Sequence, residues 1–300
     1  MKAPLLLGSL IALAIFESTA AESPALWYRQ PASAWHEALP VGNGRLGAMV
    51  FGGTARERIQ LNEATIWSGQ RADYDRVGAH QHLPEIRRLL FAGQYAEAEA
   101  LTAQEMHGER PLGWYQPLGD LVLEFPGHEA ATNFRRELDL DAAVARTTYR
   151  VGGTTFVREV FSSAPDQVIV VRLTCDRPGD LTLSAQLTRT ESAEALTLPD
   201  GSLELRGQAD RGKPTAGVSF VGQLHAETDG GRVVSAGGRL RIEQANAVTL
   251  RLTASTDYFR EPAGERATRD LAAARGRSLA ALREAHTADH QRLFRRVKLE

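Results

Sequence analysis

The feature that most constrains the fold is a succession of short β-type runs between residues 118 and 256. Val, Thr, Phe and Leu dominate these runs, a composition typical of strands. Gly152-Gly153 predicts a tight hairpin, and Pro165-Asp166 predicts a turn. The runs are LVLEF, RRELDLD, ARTTYRV, TTFVREVF, QVIVVRLT and LTLSAQLT, with later ones near 202–208, 217–226, 232–235, 239–244 and 247–256. So many short strands predict a mainly β fold, a large antiparallel super-β-sandwich.

Helical periodicity appears in two further places. Residues 46–61 predict two strands, and residues 83–107 then predict a helical hairpin inserted before the next strand. The evidence for its first helix is apolar spacing with a proline in the first turn and a glycine after the end (Leu83, Ile86, Leu89, Leu90; Pro84; Gly93). After Tyr258 an Ala- and Arg-rich segment predicts one or two helices. The predicted organisation is a β domain over 22–258 and a C-terminal helical segment over 259–300.

The N-terminus has the features of a secretory signal peptide. Lys2 supplies positive charge, residues 3–16 are almost wholly apolar, and small residues precede Ala20 and Ala21. A membrane anchor is the alternative, but the apolar run has about 14 residues where a span needs about 20. We therefore expect a signal peptide over 1–21, cleavage after Ala20 or Ala21, a secreted or periplasmic protein, and no membrane attachment after cleavage.

Charge and cysteine content exclude some classes of protein. The 35 basic and 37 acidic side chains give a net charge of -2, so the chain has no electrostatic footprint for nucleic acid. With one cysteine, Cys175, an exported chain has no internal disulfide. Because Cys175 follows an apolar run, it is expected to be a small buried side chain near a strand end.

Tryptophan and polar side chains concentrate between residues 35 and 115, where three of the four tryptophans lie. Aromatic rings stack on sugar C–H groups, and planar polar groups bind hydroxyls, so this region predicts a carbohydrate surface. The predicted substrate-binding residues are Asn43, Arg45, Asn62, Glu63, Trp67 and Trp114. The alternative is that the tryptophans cover the ends of the sandwich as core or interface residues.

Catalytic and metal sites are not predicted. Glycoside hydrolysis needs a positioned pair of carboxyl groups, and spacing cannot select a pair among Glu37, Glu63, Asp73, Asp75 and Asp120. His286 and His290 lie four residues apart on a predicted helix, but two ligands do not make a metal site, and packing is the favoured interpretation. No cofactor is predicted.

Long segments of the chain resemble the N-terminal region of glycoside hydrolase family 95, the inverting α-L-fucosidases, which is related in fold to families 65 and 15. The resemblance follows the chain in order through nearly all of the predicted mature part. The segments are ALPVGNGRLGAMVFGG, LNEATIWSG, YQPLGDLVLEFPG, NFRRELDLDAAVARTTYRVGG, REVFSSAPDQVIVVRLT and HTADHQRLFRRVKLE.

The resemblance implies an architecture and an activity. Such enzymes have a super-β-sandwich, a helical linker, an (α/α)6 catalytic barrel and a C-terminal β domain, and this chain matches the first two. We therefore expect the sequence to stop before the barrel, which would be its partner, and we carry over no catalytic residue. The complete enzyme would hydrolyse a terminal α-L-fucoside, typically α-1,2-linked, in a fucosylated oligosaccharide or glycan without a metal; L-galactosides are an alternative substrate.

The resemblance also implies where the β domain meets the barrel. The loops at 43–69 and 107–116 are the expected contacts. A different class of function remains open, because the tryptophan-rich loops would also suit a non-catalytic carbohydrate-binding or structural module.

Overall fold

The structure is a computed structural model that describes residues 24–298 except 72, 74 and 109–112; the predicted signal peptide lies outside the described residues. The described chain forms sixteen strands and four α-helices. In order they are β1 Ala25–Tyr28, β2 Leu39–Gly42, β3 Leu46–Val50, β4 Arg56–Glu63, α1 Leu83–Phe91, α2 Tyr95–Glu105, β5 Gly119–Glu124, β6 Thr132–Asp139, β7 Val144–Val151, β8 Thr154–Ser163, β9 Val168–Cys175, β10 Leu181–Thr188, β11 Ala193–Thr197, β12 Leu203–Gln208, β13 Ser219–Asp229, β14 Arg232–Ala236, β15 Arg239–Ala245, β16 Ala247–Thr256, α3 Ala263–Arg275 and α4 Leu279–Phe294.

The strands form two antiparallel sheets. The nine-stranded sheet has the order β1-β6-β7-β8-β9-β16-β13-β12-β11, and the seven-stranded sheet has the order β14-β15-β10-β5-β4-β3-β2. The predicted mainly β, sandwich-like fold is therefore confirmed. Strands β1, β2 and β11 were not predicted from the sequence.

The core lies between the two sheets. Alternate residues of each strand point inwards, as in β10, where Leu181, Leu183, Ala185 and Leu187 are buried and the residues between them are more exposed. These side chains join one continuous apolar cluster that contains residues from both sheets. Each fully buried leucine contributes about 1.5–3 kcal/mol relative to an exposed one.

Strand β16 is buried on both faces because helix α3 covers its outer side. The inner residues are apolar, whereas outer residues such as Thr249 and Thr253 are polar and still buried. Thr253 Oγ1 donates to the backbone oxygen of Ala267 in α3 at 2.9 Å. Hydroxyl groups thus allow a helix to pack on a strand face that would otherwise need apolar side chains.

The predicted helical hairpin is confirmed as α1 and α2, inserted between the paired strands β4 and β5. Pro84 lies in the first turn of α1, and Gly93 follows that helix with φ of 74°, a conformation that glycine adopts without strain. Around the tip of the hairpin, Leu90, Phe91 and Tyr95 are exposed, and Phe91 is 91% exposed.

The predicted hairpin at Gly152-Gly153 and the predicted position of Cys175 at a strand end are also confirmed, although Cys175 is only partly buried. Gly152 and Gly153 both have positive φ values and connect β7 to β8. Cys175 is the last residue of β9, is partly buried, and packs against the core, and burial raises the pKa of its thiol. No helix among the described residues combines the length and apolar character needed to cross a membrane.

Candidate functional site

Most predicted substrate-binding residues lie at one end of the sandwich, here called the exit end because β16 finishes there. The β2–β3 turn lies at this end beside the β8–β9 turn, since Asn43 Nδ2 donates to the backbone oxygen of Ser163 at 2.9 Å. The segment after β4 joins them, since the hydroxyl groups of Thr65 and Thr256 lie 2.5 Å apart. The exit end therefore gathers loops that are far apart in sequence.

Arg45 ties these loops to both sheets and to helix α3. Its Nε donates to Gln167 Oε1 at 2.6 Å, and its Nη1 donates to the backbone oxygen of Ala254 at 2.5 Å. The guanidinium also lies 3.3 Å from Glu63 Oε1 and 3.5 Å from Asp270 Oδ2. Burial lowers the pKa of Arg45 and raises the pKa of Asp270. The observed contacts of Arg45 are those of a cross-link inside the domain.

Glu63 is buried, and both of its carboxylate oxygens have partners in the protein. Oε2 accepts hydrogen bonds from the backbone N–H of Thr65 at 2.7 Å and from its hydroxyl at 2.6 Å. Oε1 faces Arg45. These contacts fix the path of the chain from β4 into the loop that carries Trp67.

Asn43 shapes the β2–β3 turn. Its side-chain oxygen accepts from the backbone N–H groups of Arg45 at 3.0 Å and Leu46 at 2.7 Å. This is the local bonding by which asparagine favours turns. Together with the bond to the β8–β9 turn, it occupies both ends of the side-chain amide.

Trp67 and Trp114, by contrast, present their rings to solvent, with 49% and 48% of each residue exposed. Trp67 pairs with Tyr115 in an isolated β-bridge, and their rings meet edge to face with centroids 5.7 Å apart. Ser68 supports Trp114, because Ser68 N–H donates to Trp114 O at 2.9 Å and Trp114 N–H donates to Ser68 Oγ at 2.9 Å. The two tryptophans sit on loops that are bonded to each other.

Two further aromatic residues lie at the exit end. Tyr258 and Phe259 lie in the short turn after β16, are both exposed, and contact each other edge to face with ring centroids 4.9 Å apart. We call the set Trp67, Trp114, Tyr115, Tyr258 and Phe259 the aromatic end face. Exposed apolar surface of this kind marks interaction sites in soluble proteins.

Sequence reasoning placed only two of these five residues in the predicted site. The missed signal was the aromatic pair at the point where the β pattern gives way to helices. Burial and the charge of Glu63 both raise the pKa of Tyr115, so this phenol lies close to the buried carboxylate. The aromatic end face thus adjoins the Arg45–Glu63 contacts without exposing them.

Asn62 lies elsewhere, on the outer face of the seven-stranded sheet. The buried positions of β4 are Glu57, Ile59, Leu61 and Glu63, so Asn62 points the opposite way. Its side chain has no hydrogen-bond partner among the described residues. The structure therefore separates Asn62 from the other five predicted site residues.

The candidate carboxylates are dispersed. Glu37 accepts from the backbone N–H of Ser33 at 2.7 Å, a bond that lowers its pKa, and it shapes an exposed turn. Asp120 lies 3.1 Å from Arg58 on the outer face of the seven-stranded sheet. Asp73 and Asp75 lie in the connection between β4 and α1. Spacing and structure alike nominate no catalytic pair among them.

His286 and His290 use their ring nitrogens for packing contacts with backbone oxygens. His286 is buried, with Nδ1 3.1 Å from Ser162 O and Nε2 3.0 Å from Ala142 O. His290 Nε2 lies 2.8 Å from Leu140 O. Within the described residues no group of three or more His, Cys, Asp or Glu side chains could hold a metal ion.

Comparisons with known proteins all point to glycoside hydrolases. Residues 26–261 match the family model described as glycosyl hydrolase family 65, N-terminal domain. The chain is 35% identical to alpha-L-fucosidase 2 of Arabidopsis thaliana, covering 91% of this chain and 36% of that protein. It is 28% identical to probable alpha-fucosidase A of Aspergillus niger, covering 98% of this chain and 40% of that protein. The chain thus spans well under half the length of these relatives.

A solved structure shares the fold. The chain superposes on a putative kojibiose phosphorylase from human microbiome with a TM-score of 0.52 at 9% sequence identity. The match covers 91% of this chain and 38% of that one. At this identity the likeness concerns the fold alone.

Proposed function

Because the chain belongs to the family of glycosyl hydrolase family 65 N-terminal domains, we propose that it serves as the N-terminal, non-catalytic portion of an exported, inverting α-L-fucosidase. The relatives that it matches over more than nine-tenths of its length are named as α-fucosidases. The predicted resemblance to that group is thereby confirmed. The relatives also contain two to three times as much chain as this sequence, which leaves room for a separate catalytic part.

The observation that carries the proposal is the aromatic end face. Five large aromatic residues are exposed together at the end of the sandwich where β16 passes into the helices. Side chains of this size gain most when they are buried against another surface. We propose that the catalytic part of the enzyme covers the aromatic end face. Trp67 and Trp114 lie in the two loops, 43–69 and 107–116, that are expected to contact that part.

The proposed chemistry belongs to that catalytic part. A terminal α-L-fucoside is hydrolysed in one displacement, with a general acid protonating the leaving oxygen and a base activating water on the opposite face of the sugar. L-galactosides remain an alternative substrate. The role proposed for this chain is to support the catalytic part, and Asn43, Arg45 and Glu63 would serve it by holding the exit end in shape.

A chimera tests the proposal. In it, this chain replaces the matching part of the Arabidopsis thaliana relative, and fucose release from 2′-fucosyllactose is measured. We expect the chain alone to release no fucose and the chimera to release it. A folded but inactive chimera would count against the supporting role.

Matched variants locate the contact. Trp67→Ala and Trp114→Ala should lower the activity of the chimera, whereas Val234→Ala should not. Val234 is exposed to nearly the same extent, 47%, but lies on β14, an edge strand of the seven-stranded sheet. Equal effects of all three substitutions would argue against a contact at the aromatic end face.

A free-standing carbohydrate-binding module is the second candidate, favoured by the exposed tryptophans. It predicts sugar binding without any need for a catalytic part. Isothermal titration with 2′-fucosyllactose, run beside the hydrolysis assay, separates the two functions. Export is tested independently by sequencing the N-terminus of the secreted or periplasmic protein, which should begin at Ala21 or Glu22.

A further inference from the structure

Trp35 is an exposed residue that does not belong to the aromatic end face. It is 55% exposed and lies in a short 3₁₀ turn. Arg136 holds that turn by donating to the backbone oxygens of Gln30 and Glu37, both at 2.7 Å. The indole N–H donates to the side-chain oxygen of Gln60 in β4. The ring is therefore fixed in place without being buried.

The sheet beside Trp35 carries polar groups with unused hydrogen-bonding capacity. Gln60 accepts from Trp35 through its oxygen, which leaves its NH₂ group free to donate. Asn62 projects from the same face of β4, about 7 Å further along, and its amide has no partner among the described residues. Asp120, opposite Gln60 on β5, adds no such group, because its unpartnered Oδ1 is enclosed by the protein and its Oδ2 lies 3.1 Å from Arg58.

Glycines leave a shallow groove next to these groups. Gly42, Gly47 and Asn62 lie side by side on β2, β3 and β4. A Cβ placed on Gly47 would come no closer than 3.7 Å to any other atom outside its chain neighbours, which is ordinary contact distance. The floor beside Asn62 is therefore open because side chains are missing there, and not because the backbone requires glycine.

We propose that this part of the seven-stranded sheet is a non-catalytic binding site for a neutral fucosylated oligosaccharide. The exposed face of Trp35 stacks on the C–H face of a sugar ring, and the side-chain amides of Gln60 and Asn62 bind its hydroxyl groups. One hydrophobic wall with a few oriented polar groups is the usual construction of a small-ligand site. Both amides donate and accept, which matches hydroxyl groups better than it matches a charged ligand.

The site lies on a sheet face, and no part of it belongs to the aromatic end face. The choice of a fucosylated ligand rests on the proposed function, whereas the site itself rests on the geometry around Trp35. Binding at this site would attach the substrate to the enzyme at a second point, which raises the concentration of the fucosylated end of the substrate near the catalytic part.

Isothermal titration of the chain with 2′-fucosyllactose tests the proposal, using cellobiose as the control sugar. We expect binding of the fucosylated sugar, with an affinity that stays within about twofold as ionic strength rises, because the ligand is uncharged. Trp35→Ala should weaken binding at least about tenfold, a change of about 1.4 kcal/mol. The matched control, Val234→Ala, truncates a similarly exposed side chain on the same sheet and should leave the affinity unchanged.

A second variant avoids dependence on Trp35 alone. Gly47→Val fills the groove, and a β-branched residue suits a strand, so the variant should keep the melting temperature of the parent chain and lose binding. Loss in Trp67→Ala with retention in Trp35→Ala would overturn the proposal, as would absence of heat with 2′-fucosyllactose or equal binding of cellobiose. Trp35-dependent binding in a chain whose chimera is inactive would refute the proposed function alone.

Discussion

Glu57 and Arg158 form an ion pair between the two sheets, and removing one partner should destabilise the sandwich strongly. Their side chains are 0% and 2% exposed. Glu57 Oε1 also accepts from the backbone N–H groups of Phe51 at 3.1 Å and Gly52 at 3.0 Å, and Arg158 Nη2 donates to Gly53 O at 2.9 Å. The pair therefore holds the β3–β4 turn against β8.

Arg158→Met keeps most of the volume and removes the charge. A buried ion pair that loses one partner typically costs 3–5 kcal/mol, because the other charge remains desolvated; we therefore expect the free energy of unfolding to fall by about that amount. For a domain of this size, each kcal/mol lowers the melting temperature by roughly 2–4 °C, so Tm should fall by roughly 6–20 °C. Adding Glu57→Gln should recover part of the loss, since no buried charge would then remain.

The dependence on pH gives the sharper test. Burial raises the pKa of Glu57 above its ordinary value of 4.5, and the charge of Arg158 opposes that rise. In Arg158→Met the pKa should rise further, so the folded state takes up a proton at a higher pH than the unfolded state. Urea unfolding should then show a stability difference between parent and variant that is largest near pH 7 and smaller near pH 5. A difference below about 1 kcal/mol, or one that does not change with pH, would refute the reasoning.

Three other substitutions or conditions have predicted outcomes. Burial lowers the pKa of His286, His128 and His225 below 6.5. The unfolded chain therefore binds more protons than the folded chain, and the free energy of unfolding measured with urea should fall as the pH drops below about 6.5. The fall should be less steep in His286→Asn. Gly119→Ala should cost at least about 1–3 kcal/mol by thermal unfolding, because φ is 146° and the new Cβ would lie within 2.4 Å of a strand carbonyl. Leu271→Ala, on the buried face of α3, should cost about 2–5 kcal/mol in the same assay, and a loss under 1 kcal/mol would show that α3 is not held by its apolar face.

The sequence predicted the buried strands well and the edge strands poorly. Interior strands such as β9 and β10 face the core along their length, so their residue types record their burial. The three unpredicted strands, β1, β2 and β11, all lie at sheet edges, whereas the fourth edge strand, β14, was predicted near 232–235. An edge strand has one hydrogen-bonded neighbour. Strands β1 and β11 have no buried residue, and β2 has four residues that include Pro40 and Gly42, so composition carries little signal there.

The candidate site was harder to predict than the fold, because side-chain partners come from distant parts of the sequence. Arg45 has the polar character of a binding residue, but its partners Gln167, Ala254 and Asp270 are 122, 209 and 225 residues away. Only the folded chain brings them together. Residue type could therefore nominate Arg45 and Glu63 as functional, while the structure shows that their polar groups are occupied within the domain.

Exposure alone does not distinguish the two surfaces proposed here, because Trp35 and Trp67 are 55% and 49% exposed. Their neighbours do. Trp67 stands among other exposed aromatic rings on loops at the end of the sandwich, and such a surface is best satisfied by another protein surface that buries all of the rings at once. Trp35 instead contacts Gln60, which shares a sheet face with Asn62 beside an open glycine floor, and an apolar partner there would leave the amide groups unsatisfied. A ligand that offers both C–H faces and hydroxyl groups would satisfy that second surface, and this difference in neighbours is why we propose a different partner for each tryptophan.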